Sequence, residues 1–151
     1  MAAGQLSLKG RALRLLSARE HSRAELERKL ASREEEPGQL GRVLDELKAN
    51  GFIDERRVLE SVLHRRASRL GAARIRQELH GKGLDPQMIA RALEGLRCTE
   101  LQRAREVWRK KFDGLPQDAR ERGKQARFLA ARGFDGDVIR RVLSSDAENE
   151  G

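Results

Sequence analysis

The sequence predicts an all-α protein, an elongated array of three tandem three-helix repeats, and three observations carry that prediction. Apolar residues recur at spacings of three and four along the chain, with no long β-branched alternation of the kind that suits a strand. A shift of 49 positions lays Leu26, Leu30, Pro37, Leu40, Arg42, Leu44 and Leu47 on Ile75, Leu79, Pro86, Ile89, Arg91, Leu93 and Leu96 without a gap. A further shift of 50 carries Leu79, Gly83, Asp85, Ile89 and Leu93 onto Leu129, Gly133, Asp135, Ile139 and Leu143. Of the 151 residues, 38% are hydrophobic and 37% charged, a balance that lines thin helical layers rather than one wide core. The repeats are expected at 1–53, 54–97 and 98–144, followed at 145–151 by an acidic tail expected to be disordered, with Asp146, Glu148 and Glu150 and no base.

In the first repeat the spacing predicts helices over 8–18, 23–32 and 37–50. Ser22 with Glu25 has the form of a capping box, in which the serine hydroxyl and the glutamate each take one orphan N–H of the first turn. Glu34, Glu35 and Glu36 precede Pro37, which suits a helix start, and Gly51 ends the repeat. The second repeat is expected to run as helices over 55–70, 72–82 and 86–96. Gly83 serves there as a left-handed stop, Asp85 as N-cap and Pro86 as first helical residue. The third repeat predicts helices over 100–113, 117–132 and 136–144. Thr99 with Gln102 is read as a further capping box, and Gly133-Phe134-Asp135 repeats the earlier Gly83-Leu84-Asp85 turn.

Charge and composition limit the function classes. Lys and Arg number 32 against 24 Asp and Glu, a formal net charge of +8. It divides as +2 over 1–53, +3 over 54–96 with one more from Arg97, and +5 over 98–143, less three in the tail. Aromatic residues are 3%, with one Trp and no Tyr, too few for a platform on which successive bases stack. A lone cysteine, Cys98, excludes an internal disulfide and a thiolate metal cluster and fits a reducing compartment. No apolar run has signal-peptide or bilayer-spanning length, so a cytoplasmic protein without membrane attachment is expected. Enzyme constellations are missing as well. Gly123-Lys124-Gln125 lacks the glycine that a P-loop needs at Asp118 and the Ser or Thr it needs at Gln125. His21, His64 and His80 have no neighbouring ligand pattern. The expectation is a monomeric, non-enzymatic protein that uses no metal and no cofactor.

What remains is basic helical surface. Arg66 lies near the middle of the arc formed by Val58, Leu59, Val62 and Leu63, where a structural ion pair is expected, with Arg65 and Arg69 at the arc's edge. From there long apolar stems can cover the core while the guanidinium groups reach phosphate or carboxylate. Arg109-Lys110-Lys111 follows Trp108, which belongs to an apolar stripe with Ala104, Val107 and Phe112 and is therefore read as core. Lys124 and Arg127 form a third basic turn, and Arg74, Arg76 and Lys82 complete the candidate partner-binding set. Gly83, Asp85, Gly133 and Asp135, with Arg66 and Trp108, are the candidate structural positions. No repeat gathers the Asn, Gln and Arg that base readout requires, so DNA binding on this reading is weak and directed at phosphates.

The stretch from Arg65 to Leu79, Arg-Arg-Ala-Ser-Arg-Leu-Gly-Ala-Ala-Arg-Ile-Arg-Gln-Glu-Leu, followed by Lys82-Gly83-Leu84-Asp85, resembles the central signature of the RecX family. Members of that family regulate the RecA recombinase of bacteria. The run from Lys124 to Phe134 is similar to the family's third-repeat signature, and a weaker likeness passes through Ala12 to Leu16 and Ser22 to Leu26. The likeness spans nearly everything from Leu8 to Leu143. It departs locally, with Val58 and Leu59 where family members often carry Phe or Tyr after the Asp-x-Arg opening, and with Leu70 alone before Gly71. The resemblance implies a negative regulator that binds the groove of the RecA–DNA filament and restrains ATP hydrolysis and strand exchange. It places the chain in DNA recombination, DNA repair and the SOS response.

Overall fold

The computed structural model describes residues 5–144, so the acidic tail expected at 145–151 lies outside the described residues. Among them no strand occurs. The helices follow in order as α1 (Leu8–Ala18), α2 (Arg23–Leu30), α3 (Gln39–Ala49), α4 (Glu55–Arg66), α5 (Ala72–Gly81), α6 (Pro86–Arg97), α7 (Glu100–Lys111), α8 (Ala119–Ala131) and α9 (Gly136–Leu143), with a 3-10 turn at Ala31–Arg33. Most of the apolar positions matched between repeats are buried. Leu26 and Ile75, Leu30 and Leu79, Leu40 and Ile89, Leu44 and Leu93 are all buried, as are Leu129, Ile139 and Leu143 further on.

Two compact units divide the described residues. One holds those up to Ser61 together with Gly81–Leu84, and the other holds Val62–His80 with those from Asp85 onward. In the first unit α1, α2 and α3 close around Leu8, Ala12, Leu26, Leu30, Leu44 and Leu47. In the second, α7, α8 and α9 pack around Ala104, Trp108, Leu129, Phe134, Ile139 and Val142. Trp108 is a core residue there, 9% exposed, and its indole N–H donates to the buried Gln125 amide oxygen at 2.8 Å, which supplies the partner that a buried indole needs.

Local punctuation places most helix starts. Ser22 accepts from the Glu25 N–H while Glu25 accepts from the Ser22 N–H, the reciprocal box read from the sequence. Gly83 and Gly133 have φ of +72° and +93°, and Asp85 and Asp135 cap α6 and α9 through the N–H groups of Gln87 and Val138. Other starts differ from expectation. The capping box at Thr99 does not form: its backbone is helical, and its hydroxyl donates backward to the Leu96 carbonyl. α8 begins at Ala119 because Asp118 accepts from the Glu121 N–H while the Glu121 carboxylate accepts from the Gln117 N–H. α3 begins at Gln39 rather than at Pro37, since Gly38 takes a left-handed φ of +86° ahead of it. α4 stops at Arg66 instead of continuing to Leu70, and a residue of the third repeat holds the segment that follows it.

Candidate partner-binding surface

The end of α4 and the first turn of α5 carry the densest grouping of candidate arginines, and residues of the third repeat fix both. α5 has no Ser, Thr, Asp or Asn before Ala72, so its first N–H groups lack a local cap. They are satisfied from a distance: Gly71 N–H donates to the Arg132 carbonyl at 2.7 Å, Ala73 N–H to the Gly133 carbonyl at 3.2 Å, and Ala72 N–H to the buried Glu100 carboxylate at 3.1 Å. The backbones meet so closely that a β-carbon on Gly71 would stand 2.4 Å from the Gly133 carbonyl.

The end of α4 is held by Arg103 of α7. Its guanidinium donates to the carbonyls of Ala67 at 2.7 Å, Leu70 at 2.9 Å and Leu96 at 3.3 Å. The last carbonyls of a helix have no partner within it, and here this one side chain from α7 satisfies two at the end of the α4 segment together with one near the end of α6. Burial pushes the Arg103 pKa down, with Glu100 opposing the shift. Neither Arg103 nor Glu100 stood out in the sequence, where each reads as one more charge on a polar helix.

Around this junction the candidate residues separate. Arg66 pairs with Glu78 at 3.3 Å. Arg69 is exposed and donates to the Arg65 carbonyl at 3.4 Å, and Arg74 is exposed and donates to the Ala131 carbonyl at 2.9 Å. Arg66, Arg69, Arg74 and Arg132 line one cleft of about 400 Å³ together with Leu70, Gln77 and Glu78. Arg132 also lies over the Phe128 ring at 4.9 Å, while Lys111 approaches that ring at 5.8 Å and Phe112 meets it edge-on. Phe128 thereby joins the basic end of α7, with Arg109, Lys110 and Lys111 exposed, to the arginine cleft. Lys124 and Arg127 border a separate depression with Asp118, Arg120 and Glu121, and Arg76 faces another with His80, Glu94 and Arg97. Lys82 stands apart in the first unit, where it is 12% exposed and paired with Glu25. Arg132 was absent from the candidates because only the packing of α8 beside the start of α5 brings it there.

A fold of three-helix repeats bearing this surface matches one family along its length. Models of the first, second and third three-helix domains of RecX match residues 9–47, 54–93 and 99–143. The chain belongs to the RecX family. It is 58% identical over 139 residues to the regulatory protein RecX of Leptothrix cholodnii, covering 92% of this chain and 88% of that one. With the protein of the same name from Herminiimonas arsenicoxydans it shares 47% identity over 150 residues, 99% of each chain. Among solved structures, a crystal structure of RecX from Lactobacillus salivarius has a TM-score of 0.73 at 22% identity, covering 90% of this chain and 92% of that one. The family's role is regulatory. No helix among the described residues is long and apolar enough to cross a membrane. Gly71 within the RecX-like stretch gains a physical meaning here, since a side chain at that position would collide with the Gly133 and Phe134 backbone.

Proposed function

We propose that this RecX-family chain is a negative regulator of the RecA recombinase that lodges in the groove of the RecA–DNA filament and restrains its ATP hydrolysis and strand exchange. The observation that carries the reading is the family match along all three repeats, joined to a basic surface running from Lys111 through Phe128 and Arg132 to Arg69 and Arg74. The action is geometric and electrostatic rather than catalytic. Repeated helical units offer modest contacts to several protomers at once, and such contacts add through effective concentration without one deep pocket. The place of action is the cytoplasm, in recombination and the SOS response, and the active form is a monomer.

A chain that contacts the recombinase slows ATP hydrolysis by preformed RecA filaments at concentrations too low to coat the DNA, because one bound molecule perturbs several protomers. A simple DNA competitor must cover the lattice instead. The net charge of +8 favours that second reading, weak non-specific DNA binding, as the alternative. Titration into filaments with and without excess competitor duplex separates the two. Inhibition that persists in the presence of duplex supports the regulator. Inhibition wholly relieved by duplex, with no recombinase cross-link, supports the DNA binder.

A further inference from the structure

The cleft between the end of α4, the exposed side of α5 and the end of α8 has features that a merely solvated basic face lacks. Four guanidinium groups, those of Arg66, Arg69, Arg74 and Arg132, share it with one carboxylate, that of Glu78, which leaves a local charge of +3. Each arginine is held by a contact that uses part of its capacity. Arg74 spends an N–H on the Ala131 carbonyl at 2.9 Å, Arg69 one on the Arg65 carbonyl at 3.4 Å, and Arg66 engages Glu78 at 3.3 Å. Arg132 is steadied by its position over the Phe128 ring, 4.9 Å from its centre. A guanidinium carries five N–H donors, so most remain available, and the restraint lowers the ordering cost of binding.

We propose that this cleft is a phosphodiester-binding site that seats the backbone of single-stranded DNA; the proposal deepens the filament reading and rests on it for the source of that DNA. Planar guanidinium forks match the paired oxygens of phosphate. Leu70 is the one aliphatic residue in the lining and no aromatic ring is present, so the cleft lacks the apolar anchors on which a protein partner's energetic centre depends. Phe128, reached from the cleft through Arg132, already carries contacts from Arg132, Lys111 and Phe112. Recognition is therefore of the sugar-phosphate backbone, without base preference.

The test titrates the full chain with labelled oligo-dT over a series of salt concentrations and compares the slope of log K against log salt. Arg69→Gln combined with Arg132→Gln is expected to lower affinity roughly tenfold or more and to reduce the slope by about 1.4, roughly 0.7 for each lost phosphate contact on a single strand. Arg91→Gln removes one charge from an exposed position on α6 outside the cleft and is expected to change affinity less than about twofold. Arg69→Lys with intact Arg132 keeps the charge but loses the planar fork and is expected to bind more weakly than wild type and more tightly than the cleft pair, and circular dichroism melts confirm that every variant is folded. Equal effects of the cleft pair and Arg91→Gln overturn the proposal. So does wild-type oligo-dT binding by the cleft pair accompanied by lost retention on the RecA filament, which would assign the cleft to acidic protein. If the cleft pair binds oligo-dT normally and still inhibits filament ATP hydrolysis, the cleft proposal fails and the filament reading stands. Oligo-dT binding that depends on the cleft in a wild-type chain that never slows the filament supports the cleft and removes the filament reading.

Discussion

The Lys82 ammonium lies 3.0 Å from the Glu25 carboxylate, with the two side chains only 12% and 7% exposed. Arg19 reaches the other carboxylate oxygen at 2.7 Å, so one glutamate binds the end of α1, the start of α2 and the Gly81–Leu84 segment into one unit. Beside it His21 is buried. Its Nε2 lies 3.0 Å from the Lys29 ammonium, which only a neutral ring can accept, so Nδ1 carries the proton toward the Arg19 carbonyl.

Acid is predicted to loosen this unit. Burial by itself pushes the Glu25 carboxyl up, but hydrogen bonds from Arg19, Lys82 and the Ser22 N–H outweigh it together and hold the pKa at about 2, against an ordinary 4.5. A carboxyl lowered in the folded state binds protons more readily when unfolded. Its contribution is present above about pH 4.5 and is lost as the pH falls toward 2, roughly 3 kcal/mol in all. Burial lowers the His21 pKa, so this group too favours the folded state above its ordinary 6.5 and disfavours it on acidification. Melting curves between pH 7 and pH 2.5 should show the loss, and Glu25→Gln should be less stable at pH 7 with a flatter acid limb. An acid limb unchanged in Glu25→Gln would refute the assignment.

Gly71→Ala is predicted to be strongly destabilising although its backbone is not left-handed. The added carbon would lie 2.4 Å from the Gly133 carbonyl and 2.5 Å from the Phe134 nitrogen, so backbone must move and the hydrogen bond from Gly71 N–H to Arg132 is lost. A cost of about 3 kcal/mol is expected. Gly95→Ala in α6 meets nothing within 4 Å and should stabilise by about 0.5 to 1 kcal/mol. Urea midpoints for the two variants, measured together, decide whether close approach is the cause.

Gly83→Val and Gly133→Val should both lower the melting temperature, Gly133 by more. Positive φ costs either one roughly 1 to 2 kcal/mol. At Gly83 the new β-carbon also meets Ala24 at 2.8 Å, whereas at Gly133 it meets the Arg74 side chain at 2.5 Å and the Arg74 backbone nitrogen at 2.6 Å. Unchanged melting in either variant would remove the argument for these turns.

Arg103→Leu should cost about 3 kcal/mol, because the carbonyls of Ala67, Leu70 and Leu96 lose a shared donor and the buried Glu100 loses a neighbouring positive charge. Hydrogen exchange at Ala67 to Gly71 should accelerate with it. Arg103→Lys, which offers a point charge in place of a planar fork, is expected to recover less than half of the loss.

Reversing Arg65, Arg69, Arg109, Lys110 and Lys111 to Glu should weaken filament binding in pull-down assays by tenfold or more, with the wild-type affinity itself falling as salt rises. Arg14→Glu is a suitable control, being exposed on α1. Arg23 is unsuitable, since it bridges Asp45 at 2.6 Å and Glu27 at 3.1 Å and its reversal would unsettle the first repeat. Equal weakening by Arg14→Glu in a folded protein would show that net charge, rather than this face, governs binding.

The sequence by itself determined the helical class, the fifty-residue period, the Gly-apolar-Asp turns and the bounds of α1, because each is written in neighbours a few positions apart: apolar spacing, a cap, a glycine free to take positive φ. The Ser22–Glu25 box was legible for the same reason, but its second use was not, since Lys82 comes to Glu25 from 57 positions away. The end of α4, the cap of α5 and the gathering of Arg66, Arg69, Arg74 and Arg132 were settled only by tertiary packing. Glu100 serves Ala72 across 28 positions, Arg103 serves Leu70 across 33, and Arg74 serves Ala131 across 57. No periodicity records such partners. A buried carbonyl or N–H group takes whichever donor or acceptor the packing brings to it, and the arginines left over around that exchange form the cleft.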